Sequence, residues 1–209
     1  ASNPGAGMRD QTTWVSDGAF LKRYPTTAAA STAWNRGLSA AEAGVPTPAV
    51  HGRVGPTVLS FERVDTLGKA SLAEMISLLV HLHGMPKGGL IRFDPFLRIR
   101  PRIAAAPAQV GLLVEELAAR DAALRWQEVA AIHGDFHPGQ VIRDTVGKVW
   151  LIDLDDMAAG PPEADLGNVA AWLSTQTAGQ LSGLAEGALA QVLALSPGSN
   201  PALAAHFCA

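Results

Sequence analysis

The run His133-Gly134-Asp135-Phe136-His137-Pro138-Gly139-Gln140 sets a carboxylate, two imidazoles and a carboxamide in one polar turn. Leu151-Ile152-Asp153 then brings a second carboxylate at the end of an apolar run. Counted from Asp135, Gln140 lies five positions on and Asp153 eighteen. Phosphoryl transfer from a magnesium nucleotide requires one carboxylate for the acceptor hydroxyl and oxygen donors for the metal. Asp135, with His133 beside it, is the candidate catalytic centre, because a base that orients an alcohol must be held by neighbours yet open to a cleft. Asp153 and Gln140 are the candidate metal ligands. Three acidic residues in Asp153-Leu154-Asp155-Asp156 repel one another unless a cation neutralises them. Magnesium, which keeps water and phosphate oxygens among its ligands, needs only such a sparse set.

A different chemistry is open to the same run. His133, Asp135 and His137 alternate along an extended segment and could hold zinc or a pair of metals for hydrolysis. Against that, His51, His81, His83 and His206 are scattered and form no second paired motif. Lys22 lies in Phe20-Leu21-Lys22-Arg23-Tyr24, an alternating strand pattern from which a lysine can point into a cleft as a compact charge for nucleotide phosphates.

These residues need elements to carry them. Thr12 to Val15 and Ala19 to Tyr24, split by Ser16-Asp17-Gly18, read as a hairpin. An alanine-rich helix is expected from about Thr27 to Ala43, ended by Gly44, and then Val45-Pro46-Thr47-Pro48 as a stiff extended linker. Val50 to Arg53 and Thr57 to Val64 give a second strand pair. Ser71-Leu72-Ala73-Glu74 is a capping box, and Leu72, Met75, Ile76, Leu79 and Leu82 continue it at helical spacing to Gly84. Residues 85–107 are rich in Pro, Gly and Arg and are expected to wrap the surface. A long helix is expected over roughly Ala108 to Ala130, its period set by Leu112, Leu113, Glu116, Leu117 and Leu124. Short strands at Val141-Ile142 and Val149 to Ile152 and helices near 163–176 and 180–195 complete the reading. The change from strand-rich to helix-rich near residue 65 predicts an N-terminal lobe over 1–64 and a C-terminal lobe over 65–209, with a hinge between.

Composition narrows the function classes. At 48% hydrophobic and 17% charged, the 209 residues can bury a sizeable core. A net charge of −3 offers no basic field for nucleic acid. The only cysteine, Cys208, excludes an intrachain disulfide framework and favours a reducing compartment. No charged start followed by an apolar run marks a signal peptide, and no apolar stretch is long enough to span a bilayer. A cytoplasmic protein without membrane or nucleic-acid partners is the expectation.

Taken together, the chain resembles the aminoglycoside phosphotransferase and choline kinase superfamily, which has a protein-kinase-like fold. The family pattern is His-Gly-Asp-x-His-x-x-Asn, then Ile-Asp, then Gly-x-Pro-x-x-Asp-Leu. Here it reads His133 to Gln140, Ile152-Asp153, and Gly160-Pro161-Pro162-Glu163-Ala164-Asp165-Leu166. The resemblance extends to Lys22, to Ala43 through Pro48, and to Leu82-His83-Gly84-Met85-Pro86. It implies a two-lobed α+β architecture, with an antiparallel sheet lobe and a larger, mainly helical lobe. It also implies ATP and Mg2+ as cofactors and a small-molecule hydroxyl as acceptor. Asp135 would be the base, Asp153 would hold magnesium, and Lys22 would contact the α and β phosphates. Backbone groups around Phe61, Glu62 and Arg63 would meet the adenine, and Asp165 would brace the catalytic loop. Three departures stand out. Gln140 occupies the family's asparagine position. Ser31-Thr32-Ala33 lies where a helix glutamate would pair with Lys22, Glu42 being at the helix's far end. The chain is also short for the family, so a phosphate-covering loop would have to come from about Gly5 to Thr12. A kinase-like nucleotide-binding protein without activity is the alternative that the first two departures favour.

Overall fold

The computed structural model describes residues 13–97, 103, 105–124, 126, 129–176 and 184–208. The segment Gly5 to Thr12, expected to cover phosphates, lies outside them. Strands β1 (Thr13–Ser16) and β2 (Ala19–Arg23) form the expected hairpin. Asp17 and Gly18 both take positive φ, 49° and 76°, as a two-residue turn matched to strand twist requires. β3 (Val50–Gly55) and β4 (Val58–Glu62) complete an antiparallel sheet in the order β1-β2-β4-β3. Lys22 faces Leu59 across the β2–β4 pair, and Tyr24 follows on the same side at the period of two.

That side of the sheet receives helix α1 (Thr27–Glu42), started by the Thr26 hydroxyl accepting from the Ala29 N–H. Ala30, Ala33, Tyr24 and Leu59 make a small core between helix and sheet. Gly37, unfavourable by helix propensity, has a packing reason: a Cβ there would lie 2.4 Å from Val50 Cγ2. The proline linker that follows is pinned where the Pro46 carbonyl accepts the Leu151 N–H at 2.7 Å.

The main core lies under α2 (Leu72–His83), whose Met75, Ile76, Leu79 and Leu82 are buried against Ala131, Phe136, Leu151 and Val169. Its capping box is formed in both directions. Arg143 also reaches Glu74, tying the helix start to β6 (Val141–Arg143). Hydrogen bonds from Ser71, then Arg143, pull the Glu74 carboxyl from 4.5 down to about 2. A carboxyl whose folded value lies below its unfolded one contributes stability that is full above the unfolded value and disappears as pH falls through the folded one. Glu74→Gln should therefore flatten the loss of stability between about pH 5 and pH 2, read as urea midpoints over a pH series. An acid limb parallel to that of the parent would mean the box contributes nothing there.

Several expectations change. α3 (Ala108–Ala123) stops well short of residue 130, and the chain then forms β5 (Ala130–Ile132), paired with β8 (Ala158–Gly160). Three-residue strands carry no periodicity, and pairing across the fold overrides the helical preference of Ala130 and Ala131. Leu112 and Leu113 are 67% and 55% exposed, while Val114 is the α3 residue that packs inward. The segment expected to wrap the surface is mostly exposed over its described part, and backbone bonds also tie it to β8. The Phe93 N–H donates to the Ala159 carbonyl, the Ala159 N–H donates to Ile91, and Phe96 is buried. β6 and β7 (Val149–Leu151) form as the two expected short strands, and they pair with each other.

Helices α4 (Glu163–Gln176), α5 (Leu184–Ala194) and α6 (Pro201–Cys208) close the described chain. α6 was not expected, although Asn200-Pro201 signals it: the Asn200 side-chain oxygen accepts from Ala202 and Leu203. It crosses α4 at Gly167, where a Cβ would sit 2.6 Å from Phe207 Cβ. The result is an α+β fold, with one four-stranded antiparallel sheet and six helices among the described residues.

Candidate active site

The loop between β5 and β6 is held from beneath by one buried carboxylate. Asp165, in the first turn of α4 and fully buried, accepts the His133 N–H at 2.8 Å on Oδ2 and the Gly134 N–H at 2.9 Å on Oδ1. His83 Nε2, from the end of α2, lies 3.0 Å from Oδ2. Gly134 has φ +80°, and a Cβ on it would lie 2.6 Å from the Asp156 carbonyl oxygen, so only glycine fits. His133 is fully buried, with Nε2 3.0 Å from the Ile152 carbonyl. A carbonyl only accepts, so Nε2 carries the proton, and Nδ1 is buried without a partner. Phe136, also fully buried, packs edge-on against His133. With residues 133 and 136 turned inward, Asp135 between them is left partly exposed at the loop surface.

The loop then makes a short 3₁₀ turn over Pro138–Gln140, capped by His137 Nδ1 accepting from the Gly139 N–H. Gln140 is buried, its carboxamide nitrogen 3.3 Å from His137 Nε2, and its backbone carbonyl accepts the Ile152 N–H. That last bond brings it beside Asp153, the residue that ends the β7 run. Asp153 has φ 59° and ψ 56°, left-handed for a residue with a Cβ. Such a conformation costs about 1–3 kcal/mol, and strain of this kind concentrates at functional sites.

Lys22 Nζ lies 2.9 Å from Asp153 Oδ1 and 2.8 Å from Asp155 Oδ2, the lysine side chain being 9% exposed. The Tyr24 hydroxyl donates to Asp155 Oδ1 at 3.2 Å, and Arg36 of α1 donates to the Asp155 carbonyl. Burial first, then the Asp155 carboxylate, pushes the Tyr24 hydroxyl far above its ordinary value, so it stays a donor. On α1, Ser31 accepts from Arg53 and Ala33 lines the cleft; the cationic partner expected to be missing a carboxylate thus has two, both from the loop after β7. Asp155, Tyr24 and Arg36 were not singled out from the sequence. The acidic cluster was the one available signal, and nothing local pairs it with a strand residue so far away.

A cleft of about 580 Å³ gathers Lys22, Phe61, Glu62, Arg63, Gln140, Asp153 and Asp155 on its walls, with Phe20, Ile142 and Ile152 as apolar surface. That volume suits a small-molecule ligand. At the end of β4, the Glu62 N–H donates to the Ala49 carbonyl, and Arg63 pairs with Asp65 at the surface. Asp135 and His133 are not among the residues lining this cleft. The hydrolase arrangement is not formed: His133 faces Ile152, His137 faces Gly139 and Gln140, and among the described residues no group of three or more His, Cys, Asp or Glu could hold a metal.

Solved structures share this fold. The aminoglycoside phosphotransferase APH(3'')-Id of Streptomyces rimosus ATCC10970 is 20% identical, with a TM-score of 0.64 over 96% of this chain and 91% of that one. The same protein has been solved in complex with ADP and streptomycin. The choline kinase LicA of Streptococcus pneumoniae is 13% identical, with a TM-score of 0.67 over 94% of this chain and 76% of that one. The macrolide 2'-phosphotransferase MphH of Brachybacterium faecium is 16% identical, with a TM-score of 0.56 over 91% and 73%. The chain, expected to be short for its family, spans 91% of the Streptomyces rimosus chain and 76% and 73% of the other two. No curated protein matches the sequence significantly. A sequence profile of the phosphotransferase enzyme family matches residues 2–197. With nearly the whole chain inside that match, and a protein-kinase-like fold around the His133 to Gln140 loop, the protein belongs to the phosphotransferase enzyme family.

Proposed function

We propose that the protein is a small-molecule kinase that moves the γ-phosphoryl group of ATP to a hydroxyl of its acceptor. One observation carries this reading: Lys22, Asp153 and Gln140 share a cleft with the Phe61–Arg63 segment, beside a loop that holds Asp135 at its surface. In this reading residues 1–64 form the nucleotide lobe and residues 65–209 the catalytic and acceptor lobe, in the cytoplasm. Among the described residues no helix is long and apolar enough to cross a membrane.

Lys22 meets the nucleotide phosphates as a compact cation, and backbone groups of Phe61, Glu62 and Arg63 border the adenine. The Asp153 carboxylate and the Gln140 amide are hard oxygen donors of the kind magnesium takes, and both residues line the cleft. These two residues would hold magnesium, which would supply neutralisation of charge on the phosphates. Asp135 orients the acceptor hydroxyl and takes up its proton. His133 works from inside the loop, fixing its spacing from the end of β7 through Ile152. Catalysis on this scheme is mostly positioning.

The inactive alternative differs in its metal linkage. Thermal unfolding with ATP alone and with ATP plus Mg2+ should show a gain that depends on the metal. At a hundred times Kd the gain is about 2.7 kcal/mol, or roughly 5–10 °C for a chain of this size. Equal shifts with and without Mg2+ would leave a nucleotide-binding protein without this chemistry. Screening hydroxyl compounds for ATP consumption then identifies the acceptor class.

A further inference from the structure

Lys22 lies between two carboxylates, and the kinase reading gives one of them, Asp153, to the metal. A lysine paired with that group alone would lose its anchor when the metal site fills. The second carboxylate is built differently. Asp155 receives Lys22 Nζ on Oδ2 at 2.8 Å and the Tyr24 hydroxyl on Oδ1 at 3.2 Å, and Arg36 of α1 donates to its backbone carbonyl. Tyr24 stands two residues after Lys22, just past the end of β2 and on the same side, so adjoining positions supply both the cation and the hydroxyl that holds its partner. α1 supplies no carboxylate here; Ala33 and Gly37 border the cleft, and Arg36 grips the loop from the backbone side.

We propose that Asp155 is the positioning residue for Lys22, fixed by Tyr24 and Arg36, and that it takes the place of a partner on α1. This rests on the kinase reading above. A lysine has three protons to share. With one held by Asp155 the stem is fixed in one rotamer, and the remaining protons are aimed at phosphate oxygens. The helix is coupled to the phosphate site through Arg36 and the loop backbone instead of through a carboxylate of its own.

The test is a double-mutant cycle on Mg·ATP affinity, which needs no acceptor, using titration calorimetry on the parent, Lys22→Ala, Asp155→Asn and the double variant. Asp155→Asn should weaken binding about tenfold when Lys22 is present and not at all in the Lys22→Ala background. A carboxylate that merely repels phosphates gives tighter binding in both backgrounds. One that ligates the metal gives weaker binding in both, together with a raised Mg2+ requirement. One that only supports the fold lowers the melting temperature and weakens both backgrounds alike. Any of these three patterns overturns the proposal. Tyr24→Phe keeps the ring in its packing and should reproduce a weaker, Lys22-dependent version of the loss, so the outcome is decided even if Asp155→Asn folds poorly. A parent that binds no Mg·ATP would defeat the kinase reading itself, whereas binding without dependence on Lys22 defeats only the role of Asp155.

Discussion

Asp135→Asn is expected to lower turnover by roughly 10²- to 10⁴-fold while leaving Mg·ATP affinity within about twofold. The substitution keeps side-chain volume and removes the ability to take up a proton. The affinity should survive because Asp135 is not among the residues lining the cleft that holds Lys22, Gln140 and Asp153. The loop itself should also survive, since its shape comes from other groups: the Gly134 backbone at φ +80°, the buried ring of Phe136 and the His133 hydrogen bond to Ile152. A loss in turnover with binding intact is the signature of an interaction used in the chemical step alone. ATP consumption with an acceptor found by screening, set beside calorimetry of nucleotide binding, provides both numbers. Turnover above a tenth of the parent's would remove Asp135 from the chemistry.

The second large effect concerns stability. Asp165→Ala removes the acceptor for the His133 and Gly134 N–H groups and the partner of His83 in one step. Asp165 is wholly buried, so water cannot replace it without opening the core. A buried donor left without an acceptor costs about 1–3 kcal/mol, so two such donors and a stranded imidazole amount to about 3–5 kcal/mol. Against a typical total of about 5–15 kcal/mol, that is a severe loss, with the melting temperature falling on the order of 10 °C. Asp165→Asn keeps one oxygen and turns an amide nitrogen toward a donor, so about half the effect is expected. Urea unfolding of both variants checks the order. A melting temperature within about 2 °C of the parent for Asp165→Ala would show that the loop holds itself.

The local grammar of this chain was legible where neighbours in sequence do the work. The Asp17-Gly18 turn, the Ser71 capping box and the Leu72-to-Leu82 period each depend on residues within about one turn of one another. The loop from His133 to Gln140 was legible as a motif, but its shape is set from far along the chain: the Asp156 carbonyl leaves room only for glycine at 134, and Asp165 holds the backbone of 133 and 134. Elements whose reason lies elsewhere were missed or misplaced. β5 and β8 are three residues each and exist because they pair with each other. The end of α3 and the face it buries depend on what packs against Val114, which no helical period reveals. Gly37, unfavourable by helix propensity, has its reason in β3, where the Val50 side chain leaves no room for a Cβ.

By itself, then, the sequence pointed to the phosphotransferase family and to the residues proposed for its chemistry, because those residue types sit at fixed short spacings in one loop and one strand end. Only the tertiary structure decided how they are held. It buried His133 as a brace, set Asp165 under two backbone donors, and gave Lys22 a partner in Asp155 where α1 offers none. The physical reason is distance along the chain. A cap or turn is settled by interactions between near neighbours, whereas an ion pair between a strand in the first lobe and a loop after β7 forms only once packing has excluded water and fixed both backbones.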